Sequence, residues 1–157
     1  MVARNDEAGF RQEGGCQCGA VRYVLTERPQ TVYCCHCTEC QKQASSAFGM
    51  SVRVRRAALT VHGETAKFGK VSGDRRTVCE FCPSCGSRLF HNRPAYEDML
   101  NVKGGTFDRT DWLKPAGHIW LRSKQAWLLI PEGGLRYRGQ PDSFDALVAA
   151  YGAQWGR

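Results

Sequence analysis

Nine cysteines are the residues of this chain best suited to chemistry, and all of them fall into tight groups. These are Cys16 and Cys18, then Cys34, Cys35, Cys37 and Cys40, then Cys79, Cys82 and Cys85. A thiolate is both a nucleophile and a soft metal ligand. Cys82-Pro83-Ser84-Cys85 is a Cys-x-x-Cys turn that brings two sulfurs to one ion, and Gly86 follows where a positive φ would close the turn. Structural zinc takes four ligands, so this knuckle needs two more. Cys16 and Cys18, flanked by Gly14-Gly15 and Gly19, are the natural second pair. Such a site joins segments 64 residues apart and contributes to folding directly.

The middle group has a different logic. Cys35-x-Cys37-x-x-Cys40 offers three ligands, and zinc on three protein ligands keeps a fourth position for water or substrate. Cys34-x-x-Cys37-x-x-Cys40 and Cys79-x-x-Cys82-x-x-Cys85 are legitimate registers too, so Cys34 or Cys79 could close that position or replace a ligand. A Cys34–Cys79 redox pair is a further alternative, against two small buried thiols. An iron–sulfur reading competes with zinc but lacks the full Cys-x2-Cys-x2-Cys-x3-Cys-Pro run.

The rest of the composition sets the frame. The 157 residues suit one domain with its own core. No stretch reaches the ~18 apolar residues of a membrane span, and Met1-Val2-Ala3-Arg4-Asn5-Asp6-Glu7 has no apolar core of a secretory signal. The expected compartment is therefore the cytoplasm, where an odd number of clustered cysteines points to metal rather than disulfides. The formal net charge is +7. Seven zinc-bound thiolates on two ions would lower it by about three units. Only Arg53-Val54-Arg55-Arg56 and Arg75-Arg76 form local basic clusters, with no nucleic-acid-reading motif around them. Nucleic acid is thus not the expected partner.

The elements that must position these cysteines are mostly short strands. Residues 1–13 read as a flexible polar segment, and 14–157 as a single zinc-binding domain. Strands are expected over Ala20–Leu25, Thr31–Tyr33, Phe48–Val54, Leu59–His62, Ser87–His91, Met99–Val102, Ile119–Leu121 and Trp127–Ile130. Ser72-Gly73-Asp74 between Ala66–Phe68 and Arg76–Val78 signals a hairpin, and Glu39–Ala47 permits a short helix or turn. Asp142 is the expected N-cap of a C-terminal helix, with Asp145 three residues on and Phe144, Leu147, Val148 and Tyr151 as its apolar stripe.

Three stretches together resemble the glutathione-dependent formaldehyde-activating family, which includes the centromere protein V branch. They are Gly14-Gly15-Cys16-Gln17-Cys18-Gly19-Ala20-Val21-Arg22-Tyr23, Cys35-His36-Cys37-Thr38-Glu39-Cys40-Gln41-Lys42 and Phe81-Cys82-Pro83-Ser84-Cys85-Gly86-Ser87. The likeness runs from about Gly14 to Gly139 and includes Gly105-Thr106-Phe107-Asp108 and Pro115-Ala116-Gly117-His118-Ile119-Trp120. It implies a mainly β, β-tent-like fold of coiled antiparallel sheets clamped by zinc, with short helices including one near the C-terminus. It implies structural zinc on Cys16, Cys18, Cys82 and Cys85. A second zinc falls on Cys35, Cys37 and Cys40, the catalytic set, where glutathione sulfur binds and adds to formaldehyde. Cys34 and Cys79 are not required by the family pattern.

The implied activity is that of a carbon–sulfur lyase acting on a thiol–aldehyde adduct, S-hydroxymethylglutathione. Its partners are a small thiol and an aldehyde. Glutathione carries two carboxylates, so Lys42, Arg53 and Arg55 are candidates to hold it, set against a reading as solvated surface charges. His36 reads as a non-ligand because adjacent side chains diverge. His118 reads as a satisfied sheet histidine or a pocket residue, and Trp112, Trp120 and Trp127 as core or pocket wall. The alternative from another functional class is a non-catalytic zinc module binding an acidic protein or nucleic acid through its basic surface.

Overall fold

The computed structural model describes residues 9–73 and 75–156. Residues 1–8 of the N-terminal segment and Asp74 of the hairpin signal lie outside the described residues. In chain order the strands are β1 (Gln12–Gly15), β2 (Arg22–Leu25), β3 (Thr31–Cys35), β4 (Gly49–Arg55), β5 (Leu59–His62) and β6 (Ala66–Ser72). They continue with β7 (Arg75–Phe81), β8 (Arg88–Asn92), β9 (Met99–Lys103), β10 (Gly117–Ile119) and β11 (Leu135–Arg136). The helices are α1 (Thr38–Ala44) and α2 (Asp145–Gln154). The fold is mainly β, as expected, and includes the C-terminal helix.

The described residues fall into two compact units, 9–29 with 53–111 and 30–52 with 112–156. The chain passes from the second to the first within β4. In the first unit, β1, β2 and β5 form an antiparallel three-stranded sheet in the order β1-β2-β5. Strands β9-β8-β7-β6 form an antiparallel array, with a bulge at Glu80/Phe81 in the register of β7 on β8. Alternation on β2 buries Tyr23 and Leu25 while Arg22 and Val24 stay half-exposed, the period-two pattern of a strand with one covered face. Tyr23 anchors this core. Its ring lies edge-on to Phe90 at 5.4 Å and Phe107 at 5.3 Å, and its hydroxyl bonds Thr106 Oγ1 at 2.8 Å.

In the second unit the strand order is β11-β10-β3-β4. Every residue of β3 is buried, because both its faces are covered. Helix α2 is docked to it by Thr31 Oγ1 donating to the Leu147 carbonyl at 3.0 Å, and by Tyr33 packing on Phe144 at 5.1 Å. Strand β10 runs parallel to both β3 and β11, which long connections permit and hairpins do not. Gly117 of β10 sits where a Cβ would come within 2.7 Å of the Leu135 carbonyl oxygen and of Leu147 Cδ2. Gly117→Ala is therefore expected to cost about 1–3 kcal/mol through overpacking. Denaturant titration of the variant, with the m-value compared to wild type, checks this.

The structure departs from the sequence expectations at several points. Gln12 and Glu13, assigned to the flexible segment, open β1, and Phe10 is buried. Trp127–Ile130 forms no strand: Trp127 is 70% and Leu129 87% exposed, so its apolar run does not report burial. Strand β10 ends at Ile119, because Trp120 turns into the left-handed region at φ 61° and starts a 3-10 turn over Leu121–Ser123. Helix α2 begins at Asp145, not after an Asp142 cap. Phe144 occupies the cap position without a side-chain bond, and Ser143 Oγ accepts from Asp145 N at 3.2 Å.

Candidate functional site

The first unit brings Cys16, Cys18, Cys82 and Cys85 together, with all four Sγ atoms within 4.8 Å of one another. Zinc–sulfur bonds of about 2.3 Å at tetrahedral angles place sulfurs about 3.8 Å apart. The Cys16–Cys18 and Cys18–Cys82 separations are 3.5 and 3.8 Å, so the donor set fits that ion. Two small turns deliver the pairs. Gly19 at φ 81° donates to the Cys16 carbonyl at 3.2 Å, and Gly86 at φ 74° donates to the Cys82 carbonyl at 2.9 Å. Val21 N–H points at Cys16 Sγ, 3.2 Å away, as a donor to thiolate does.

Ser87, missed as a functional residue at the sequence level, ties the two turns together. Its Oγ accepts from Gln17 N at 3.0 Å and lies 3.2 Å from Cys85 Sγ. Hydrogen bonding from Ser87 pulls the Cys85 thiol down to about 5. Against a backbone bond from Ala20, crowding by Cys16 and Cys85 pushes the Cys18 thiol up to about 11. Four thiolates this close cannot all ionise without a cation among them.

The second unit brings Cys35, Cys37 and Cys40 together, again with their Sγ atoms within 4.8 Å. Cys35 closes the buried strand β3, Cys37 is the N-cap of α1, and Cys40 stands in the first turn of that helix. Cys37 Sγ accepts from Cys40 N at 3.3 Å, the bond an N-cap side chain ordinarily makes. Hydrogen bonds from Cys35 and Cys40 pull the Cys37 thiol down to about 2, and the same contacts push Cys35 up. Among the described residues, the group joins neither Cys34 nor Cys79 and no histidine or carboxylate. The donor set suits zinc held on three sulfurs.

His36 does not join the group of three sulfurs. It is fully buried, with Nε2 3.0 Å from His118 Nδ1 and its ring 5.4 Å from Phe48. Burial, followed by the neighbouring charges of His118 and Lys124, lowers its pKa to about 4; burial and then Arg136 lower that of His118. Both rings are therefore neutral at pH 7. His118 thus belongs to the packing around the sulfur-bearing turn, as a satisfied sheet histidine would. The His36 backbone is held as firmly, its N–H donating to the Ile119 carbonyl at 3.0 Å.

The remaining singled-out residues separate from these groups. Cys34 is buried and its thiol pushed up to about 12 by that burial. Cys79 is buried in β7 beside Phe68 and His91. None of the nine cysteines is in a disulfide, so both stand as buried thiols. Lys42 lies exposed on α1. In the first unit, Arg53 stacks over Tyr96 at 5.4 Å and Arg55 pairs with Glu27. Trp120 Nε1 donates to Gln140 Oε1 at 3.1 Å and carries Arg122 over its ring at 4.4 Å, while Trp112 is half-buried. Trp127, placed in core or pocket wall from sequence, is largely exposed.

No helix among the described residues is long and apolar enough to cross a membrane. No curated protein matches the chain. A crystal structure of a Rhodobacter sphaeroides protein is similar at 19% identity and a TM-score of 0.49, covering 66% of this chain and 91% of that one. The family model described as glutathione-dependent formaldehyde-activating enzyme matches residues 11–123, a stretch that contains all nine cysteines and both sulfur groups. The chain belongs to the glutathione-dependent formaldehyde-activating enzyme family.

Proposed function

We propose that the chain is a zinc-dependent thiol–aldehyde enzyme of carbon–sulfur lyase type, forming or cleaving S-hydroxymethylglutathione. The observation that carries this reading is the convergence of Cys35, Cys37 and Cys40 as three sulfurs at the start of α1, apart from the four-sulfur group. In this reading Cys16, Cys18, Cys82 and Cys85 hold a structural ion. Cys35, Cys37 and Cys40 hold a second and leave one position for the sulfur of glutathione or a similar thiol. Zinc bound there would supply the positive charge that favours the thiolate form of an incoming thiol near neutral pH.

The chain's own residues then set the balance of the reaction. Three thiolates around a divalent ion leave a net −1, which disfavours polarising an aldehyde oxygen and favours thiol capture. The thiol sulfur adds to the carbonyl carbon of formaldehyde, forming a carbon–sulfur bond. The carbonyl π pair moves to oxygen, which takes up the proton the thiol gave up. The reverse step breaks the carbon–sulfur bond and restores thiol and aldehyde. Lys42, exposed two residues past Cys40, is the candidate partner for a glutathione carboxylate. Arg53 and Arg55 are weaker candidates, being engaged by Tyr96 and Glu27.

The test is the rate at which zinc-loaded protein equilibrates glutathione, formaldehyde and their adduct, followed by exchange NMR. The expected result is acceleration over the uncatalysed exchange in proportion to protein concentration. Exchange unaffected by the protein, at full zinc occupancy of both sulfur groups, would remove the reading.

A further inference from the structure

The peptide between Cys35 and Cys37 is gripped from outside by side chains that no sulfur argument predicts. The His36 carbonyl accepts from Gln41 Nε2 at 2.8 Å and from Ser123 Oγ at 2.9 Å. Gln41 Nε2 donates its other hydrogen to the Ser123 carbonyl at 2.8 Å. Two carbonyl acceptors at one amide nitrogen fix which end of the Gln41 side chain is nitrogen. Its oxygen must then face a donor, and it does: Gln125 Nε2 lies 3.1 Å away. That orients Gln125 in turn, and its Oε1 accepts from the indole N–H of Trp127 at 2.7 Å. The amide ends from Gln41 to Trp127 are each matched to their neighbours, while the Ser123 hydroxyl shares its one hydrogen between the His36 and Trp120 carbonyls. Gln125 and Trp127 also lie past the residues matched by the family model.

We propose that Gln41 is a positioning residue for the three-sulfur centre, with Ser123 and Gln125 holding it in place. Clamping the His36 carbonyl fixes the His36–Cys37 peptide, one of the two links that set the approach of Cys35 to Cys37, the other being held by the His36 N–H on the Ile119 carbonyl. Gln41 also stands one residue past Cys40 in α1, so a single side chain locks the strand-borne and helix-borne ligands to each other. Such outer partners of metal ligands typically govern affinity by about 10–100-fold. The proposal rests on the reading of Cys35, Cys37 and Cys40 as metal ligands.

The experiment is titration of the full chain with zinc, and separately with cobalt(II), in wild type and Gln41→Glu. The substituted carboxylate keeps the size of the side chain but faces two carbonyls with no hydrogen to give. The expected result is two ions per chain in wild type. In the variant, affinity at one site should fall about 10–100-fold while the four-sulfur site keeps its ion. The cobalt–thiolate absorption of the three-sulfur site should weaken in parallel. Equal affinities within twofold at both sites would overturn the positioning role and leave the proposed function standing. Two ions in wild type without adduct exchange would do the reverse. A wild-type chain taking up only one ion would sink both. Should Gln41→Glu lose both ions, Gln41→Met decides: selective loss at one site supports the role, and loss at both or neither refutes it.

Discussion

Cys37→Ser is expected to lower adduct exchange at least about 100-fold while leaving the folded chain and one zinc ion in place. The separation of the two effects follows from where Cys37 stands. As the N-cap of α1 it accepts the Cys40 N–H, and serine is among the preferred residues for that task. The helix start therefore survives the change. A neutral hydroxyl is a poor substitute for thiolate at zinc, and only two sulfurs would remain on the second ion. The four-sulfur group shares no ligand with this one. Metal analysis, far-UV circular dichroism and exchange NMR on the same preparation check the claim. Full activity in this variant would rule out the three-sulfur mechanism.

Cys82→Ser should act in the opposite sense, on stability first. Cys82 is fully buried, its N–H bonds the Ser87 carbonyl at 3.0 Å, and its sulfur lies 3.8 Å from that of Cys18. An ion held here cross-links positions 64 residues apart. Closing a loop of that span removes about 4 kcal/mol of chain entropy from the unfolded state, by the measure applied to disulfides. For a chain of this size the loss corresponds to a fall in Tm of roughly 8–16 °C. Calorimetry with zinc counted per chain tests it. A chelator strong enough to strip wild type should produce a similar or larger drop.

Legibility from sequence tracked the distance over which each feature is specified. Cys82-x-x-Cys85-Gly86 and Cys37-x-x-Cys40 are local, since the turn and helix cap that converge their sulfurs are set by neighbours in the chain. Glycine flanks gave away the Cys16–Cys18 turn for the same reason. Ser87, Gln41, Ser123 and Gln125 carry no such local mark. Each has a local partner as well as one 70 to 87 residues away, and it is the distant partner that only the folded chain reveals. Gln41 and Ser87 stand within the quoted family motifs, a signal that could have drawn notice, whereas Gln125 had none.

The misreadings have a similar root. Trp127-Leu128-Leu129-Ile130 has the composition of a strand, yet its backbone joins no strand and two of its large side chains face solvent. Trp120 is an aromatic residue in the left-handed region, a cost that tertiary structure imposes and no propensity foretells. Strand β11 spans two residues, too few to print a period.

The two sulfur groups also differ in when they come into being. A nascent chain that has passed Cys40 but not Cys82 already contains Cys35, Cys37 and Cys40, within six positions of one another. At that moment Cys16 and Cys18 have no partners. Metal reaching the growing chain then meets at least six thiols competing for it, Cys34 among them, and the pair assigned to the proposed structural ion can be captured by the wrong set. The correct sorting becomes available only once the Cys82–Cys85 knuckle leaves the ribosome. Refolding of the full chain offers all nine thiols to the metal at once, so zinc present from the start should slow it relative to zinc added last, because wrongly assembled sets must release their ion before the two groups can form.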